Sequence, residues 1–167
     1  MSKGFNIAEE GAIVTLYYPI DIDDLAGADS PVIVLMENWH HATIIYSIGV
    51  DPRVAGVVTI ESCDDTTPTT PTEIPFRYYR YETSQILANG DVHGDLTWAT
   101  AAAGLIPVAT GDPAMYVIEL DAEELVPGDI GFRMCIADPG AASVGSAIAV
   151  LSGARYADKE TTNMAVV

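Results

Sequence analysis

Apolar and polar residues alternate with a two-residue period along most of the chain, and no stretch sustains a 3.6-residue period. The clearest run is Val57-Val58-Thr59-Ile60-Glu61-Ser62-Cys63, which is β-branched and alternating, as a strand buried on one face reads. A second run, Ile74 to Tyr81, sets Ile74, Phe76 and Tyr78 against Arg77 and Tyr79 in the same period. Between them lies Asp64-Asp65-Thr66-Thr67-Pro68-Thr69-Thr70-Pro71-Thr72-Glu73. Its two prolines remove backbone donors, so a stiff, exposed connection is expected there.

The remaining elements follow in order. Ala12 to Tyr17 predicts a first strand, closed by Pro19 and the acidic turn Asp21-Ile22-Asp23-Asp24. Val32 to Trp39 is apolar almost throughout, as for a strand covered on both faces. Ala42 to Gly49 comes so soon afterwards that a tight hairpin or one long strand bent by a bulge is expected. After Glu82 the residues are small and polar as far as Val108, with Asn89-Gly90 as a turn signal and Leu96 to Thr100 as a weaker strand. Ala114 to Leu120 is strand-like, and Asp121 to Leu125 has capping-box spacing for one helical turn before Pro127-Gly128. Gly131 to Ala137 and Ser143 to Ser152 are the last strands, parted by the turn Asp138-Pro139-Gly140.

Eight or nine short strands with turn signals between them predict an all-β fold, an antiparallel two-sheet β-sandwich of jelly-roll kind, with an immunoglobulin-like sandwich as the alternative. The expected division is residues 1–30 as an N-terminal strand or arm, 31–156 as the sandwich body and 157–167 as a C-terminal tail.

Composition narrows the function classes. A chain of 167 residues at 49% hydrophobic content closes one real core. Its formal net charge of −17, from 24 acidic against 7 basic residues, repels phosphate backbones and anionic lipid, so neither nucleic acid nor membrane is an expected partner. The stretch from Met1 to Val14 lacks the continuous apolar core of a signal peptide, and no apolar run approaches the ~20 residues of a membrane-spanning helix. Cys63 and Cys135 stand in strand-like runs outside any C-x-x-C motif; two buried thiols are expected, with a disulfide as the alternative.

Several motifs suggest chemistry. Gly90-Asp91-Val92-His93-Gly94 matches the first metal-binding signature of calcineurin-like metallophosphatases, yet no histidine follows His93 to complete a two-metal centre. A polar glycine-rich loop is the expectation. His40 and His41 are adjacent, so on a strand they point to opposite faces. The acidic turn Asp21, Asp23, Asp24 and the pair Asp64-Asp65 lack the glycine and terminal glutamate of an EF-hand and leave only a weak surface calcium site open. There is no G-x-S-x-G elbow and no phosphate loop. No catalytic residue, metal or cofactor is therefore assigned, and an enzyme is not expected. The interleaved Phe76-Arg77-Tyr78-Tyr79-Arg80-Tyr81 reads either as core plus ordinary surface or as a contact strand, since aromatic and arginine side chains dominate interface hot spots. The candidate interface residues are Arg77, Tyr79, Arg80, Trp39 and His40.

One wider pattern points to a family. Ala42-Thr43-Ile44-Ile45-Tyr46 with Gly49, then Val58 to Asp65 followed by Thr-Pro repeats, then Ile74-Pro75-Phe76-Arg77-Tyr78-Tyr79, Tyr116 to Asp121 with Glu124-Leu125, the Arg133 strand ending at Asp138-Pro139, and Ala147 to Tyr156 together resemble a family of small tailed-phage and prophage proteins encoded among virion structural genes. The resemblance runs from about Trp39 to Tyr156 and is least over the first thirty or so residues. It implies a capsid-associated β-sandwich, a head decoration or cement protein made in the host bacterial cytoplasm and carried on the virion surface. Implied partners are the major capsid protein, other virion proteins and further copies of the chain, a trimer being one form. Alternatives are a neck, tail or head-fibre component, or a carbohydrate-binding jelly-roll module stacking Trp39, Trp98 or Tyr79 on sugars.

Overall fold

The computed structural model describes residues 7–22, 32–49, 56–82, 92–107, 113–140, 142, 144–155 and 164–166. After a single helical turn, α1 (Ile7–Glu10), the regular structure of the described chain is nearly all strand: β1 (Gly11–Asp21), β2 (Ile33–Leu35), β3 (Trp39–Ile48), β4 (Val58–Cys63), β5 (Thr72–Ile74), β6 (Phe76–Glu82), β7 (Val92–His93), β8 (Thr97–Ala99), β9 (Ala114–Asp121), β10 (Gly131–Ile136), β11 (Val144–Ala154) and β12 (Ala165–Val166). No helix among the described residues is long and apolar enough to cross a membrane.

The strands form two antiparallel sheets. The larger runs β1-β11-β3-β9-β6-β7, with β8 also paired to β6, and the smaller runs β12-β2-β10-β4-β5. Early strands pair with late ones in nested fashion, β1 with β11, β2 with β10 and β3 with β9, closing on β4 with β5. That nesting is the jelly-roll order and not the immunoglobulin one, and β6 to β8 widen the larger sheet beyond it. β1 is an integral strand of the larger sheet, and Ala165-Val166 pair with β2 at the margin of the smaller.

Alternation sends one side chain in two inward. From the larger sheet Val14, Ala42, Ile44, Tyr46, Tyr116, Ile118, Leu120, Ala149 and Leu151 meet Val34, Val58, Ile60, Phe132 and Met134 of the smaller in one core cluster. Tyr46 stacks on Tyr116, and Tyr78 and Phe76 continue the aromatic row across the sheet. Pairing of β2 stops at Ile33 opposite Arg133, and the Tyr17 hydroxyl reaches over from the other sheet to donate to the next carbonyl, Met134 O, at 2.7 Å.

Two elements differ from the sequence expectation. The apolar run Val32 to Trp39 is no single strand: β2 ends at Leu35, a turn at Met36–Asn38 carries the chain across to the other sheet, and Trp39 opens β3. Neither the hairpin nor the long bent strand expected there forms. The run Ile74 to Tyr81 is likewise divided by Pro75, with β5 in the smaller sheet and β6 in the larger. Between β4 and β5 the Thr-Pro connection is largely exposed, as its prolines require, and the Asp65 carboxylate accepts from Thr67 N–H at 2.7 Å.

Two glycines are dictated by packing. Gly104 has φ +59°, and a β-carbon there would stand 2.4 Å from Val58 O, because Leu105 pairs with Val58 across the sheet end. Gly94 donates to Arg80 O at 2.8 Å where β7 and β8, successive parts of one edge, shift register by a residue against β6.

Candidate functional site, the outer face of the larger sheet

The strand registers fix which side chains share the solvent side of the larger sheet. One row reads Ile13, Val150, Thr43, Glu119, Arg77, Trp98 across β1, β11, β3, β9, β6 and β8. The next reads Thr15, Ile148, Ile45, Val117, Tyr79. On the other side of the first lie Ser152, His41 and Asp121. The face thus has an apolar row beside an ion-paired one. Val117 is only 5% exposed although it lies outside the core cluster, so its neighbours on this outer face cover it.

His41, Thr43, Arg77, Glu119 and Asp121 of the face are linked to one another. His41 lies between two carboxylates, Nδ1 donating to Asp121 Oδ1 and Nε2 to Glu119 Oε2, each at 2.7 Å. Two donors require the imidazolium. The hydrogen bond to Glu119 is the main cause, with Asp121 adding to it against partial burial, and the ring pKa is pushed up to about 9. Thr43 Oγ1 donates to the same Glu119 oxygen at 2.9 Å. Arg77 Nη2 donates to Asp121 Oδ2 at 2.6 Å and to Glu124 Oε2 at 3.4 Å, while its Cζ stands 5.7 Å from the centroid of the Trp98 ring, in cation–π range. Asp121 is held below the usual carboxylate range by the His41 hydrogen bond first and Arg77 second. The expected capping box supplies the last link: Glu124, in the 3-10 turn Ala122–Glu124, accepts from Asp121 N–H at 2.8 Å.

The candidate interface residues separate on this frame. Arg77 and Tyr79 lie on the outer face. Arg80 does not, because three residues along a strand reverse the side: it pairs with Tyr116 on the inner row, its Nε shielded from solvent. Trp39 is 2% exposed and belongs to the core, so it offers a partner, or a sugar, no ring surface. His40 is exposed at the rim, beside a shallow depression of about 470 Å³ that it lines with Asp121, Glu123 and Glu124. Trp98, 60% exposed, is the aromatic member of the face that interface reasoning overlooked. Its signal was a tryptophan at an outward strand position.

Among the described residues no group of three or more His, Cys, Asp or Glu side chains is placed to hold a metal ion. Of the glycine-rich motif, Val92-His93 form β7 instead of a loop, while Gly90 and Asp91 lie outside the described residues, as do Asp23 and Asp24. Cys63 and Cys135 are free thiols: Cys63 faces Gly131 and Cys135 faces Thr59, four residues or about 13 Å along β4, too far for a disulfide. No protein-family model matches the chain, and neither a curated protein nor a solved structure does.

Proposed function

We propose that this chain is a non-enzymatic virion structural protein, a capsid decoration or cement protein that binds and stabilises the major capsid protein lattice. The observation that supports the reading is the outer face of the larger sheet: His41, Glu119, Asp121 and Arg77 are bound to one another, leaving a broad platform of contact surface. The resemblance over Trp39 to Tyr156 supplies the setting, a shell of repeated subunits. Buried area added across the joints of such a lattice stabilises the assembled form by mass action. The acidic exterior, at a formal net charge of −17, keeps particles dispersed.

Electron cryomicroscopy of phage particles with and without this protein tests the proposal. The expected result is sandwich-sized density repeated over the icosahedral shell and missing in the deletion. Density confined to the portal, neck or tail replaces decoration with the neck, tail or head-fibre reading, and absence from the particle overturns both.

A sugar-binding module is the second reading, and exposed Trp98 is what favours it. A glycan-array signal lost on Trp98→Ala would establish it; the pairing of Arg77 with Asp121 and of His41 with Glu119 counts against it, because a sugar needs uncommitted hydrogen-bonding groups.

A further inference from the structure

We infer that the outer face of the larger sheet is where two copies of this chain associate, face to face about a two-fold axis. The inference deepens the proposed function only in taking this face to be a contact surface; it does not depend on which particle carries the protein.

Charge selects the occupant. Across the rows of β1, β11, β3, β9, β6 and β8 Glu119 and Asp121 stand against Arg77 and the doubly bonded His41, which cancel, with Glu124 at the rim and Asp21, opposite Val144, at the far end of β1. The whole chain carries −17. A basic partner would be steered to the acidic remainder of the surface. A partner that is itself strongly acidic meets least repulsion on the balanced face, and a second copy is such a partner.

The area suffices. Six strands at about 4.8 Å spacing and about 20 Å of strand length give on the order of 600 Å² of flat surface before side-chain relief is counted, against roughly 800 Å² per partner in a standard interface. Its middle is apolar, with Ile148, Ile45 and Tyr79 in the row that covers Val117. Its ends hold two large apolar side chains left in water, Ile13 at 54% exposure and Trp98 at 60%, five strands or about 24 Å apart. A two-fold axis parallel to the strands reverses the row, so the Ile13 end of each copy comes over the Trp98 end of the other. That is the self-complementarity an isologous interface needs. The ion pairs enter the contact already made, although Arg77 Nε has no hydrogen-bond partner among the described residues, and so avoid the penalty of an unpaired buried charge.

Light scattering on the size-fractionated full chain over a dilution series tests this. The expected wild-type species has twice the monomer mass. Ile45→Arg and Ile148→Arg are expected to run as monomers with unchanged far-ultraviolet circular dichroism. Ile13→Glu, on the margin strand where the fold is least at risk, is expected to weaken association about tenfold or more. Ile106→Arg, at an exposed apolar site off the face, leaves the dimer intact. A wild-type monomer throughout the series, or an oligomer that persists in all three face variants, overturns the inference. Occupancy on particles separates the two claims: a chain monomeric in solution yet present on the shell removes the dimer and keeps the capsid role, whereas a dimer absent from particles does the reverse.

Discussion

His41 on β3 and Asp121 on β9 stand directly opposite each other on the outer face, Nδ1 to Oδ1 at 2.7 Å, while the other ring nitrogen holds Glu119 at the same distance. An imidazole held at both nitrogens by carboxylates is locked as the cation. Because its folded pKa, about 9, lies above the ordinary value of 6.5, its contribution is complete below pH ~6.5 and is lost as pH rises through about 9. Asp121, with a depressed folded pKa, acts oppositely: its contribution is present above pH ~4 and lost as pH falls. The side chain of His41 is 30% exposed, so screening limits its share at neutral pH to about 1–2 kcal/mol. The proton NMR titration of the His41 ring should have its midpoint near 9, and the stability gap between wild type and His41→Gln should close between pH 7 and pH 10. A midpoint at or below 7 would contradict the two-carboxylate geometry.

Arg77 ties three groups together, and its fork is what lysine lacks. Arg77→Ala is expected to cost about 1 kcal/mol in urea unfolding, with Arg77→Lys retaining part of it. Since Trp39 is buried and Trp98 lies against the guanidinium, the accompanying change in fluorescence should come from Trp98 and vanish in Trp98→Phe.

Ser62 is fully buried; its hydroxyl donates to the Asp129 carboxylate and accepts from Val126 N–H at 3.1 Å, fastening the 125–130 segment to β4. Ser62→Ala leaves a buried N–H and a carboxylate each short of one partner. A loss of about 2 kcal/mol in denaturant unfolding is expected. A change within 0.5 kcal/mol, roughly the scatter of ordinary surface substitutions, would mean the segment is held by its apolar contacts alone.

Both thiols should be slow to react. Burial pushes Cys63 up to about 11 and Cys135 up to about 12, with Glu61 adding to the shift at Cys135. At pH 8 a disulfide reagent should label the native chain at least about tenfold more slowly than the unfolded chain, in which both cysteines titrate. Complete labelling of either within the unfolded-state time would show that its strand opens readily.

Period-two alternation made the strands and the sandwich legible, but it hid the two places where the chain changes sheets. Ile74 and Phe76 flank Pro75 and belong to opposite sheets, yet both point into the one core, so the inward–outward rhythm continues unbroken across the switch. From Val34 through Met36 to Trp39 the inward residues are two and then three apart, a one-residue slip lost in a run that is apolar almost throughout. The exchange of Arg80 for the inner row was readable, since residues three apart on a strand must face opposite ways. The charged cluster was not: His41 lies 80 residues from Asp121, and only the register of β3 on β9 brings them together. What the sequence did carry was a pair of acids, Glu119 and Asp121, at alternate positions of an otherwise apolar strand.

The sheet switches at Met36–Asn38 and Pro75 lie at the same end of the sandwich, the His41–Asp121 end, where each sheet is bound to the other through the backbone by three residues or by one. The two layers are therefore tied most closely at this end, whereas at the far end the crossings from β3 to β4 and from β10 to β11 are longer and the Tyr17 hydroxyl adds its bond to Met134 O. Thermal opening should proceed from the far end, where the buried Tyr46 hydroxyl has no hydrogen-bond partner among the described residues and gains one as soon as water enters. Amide exchange should accordingly show lower protection at Tyr46 and Tyr116 than at Ala42 and Leu120, a gradient along single strands that a uniformly sealed core would not produce.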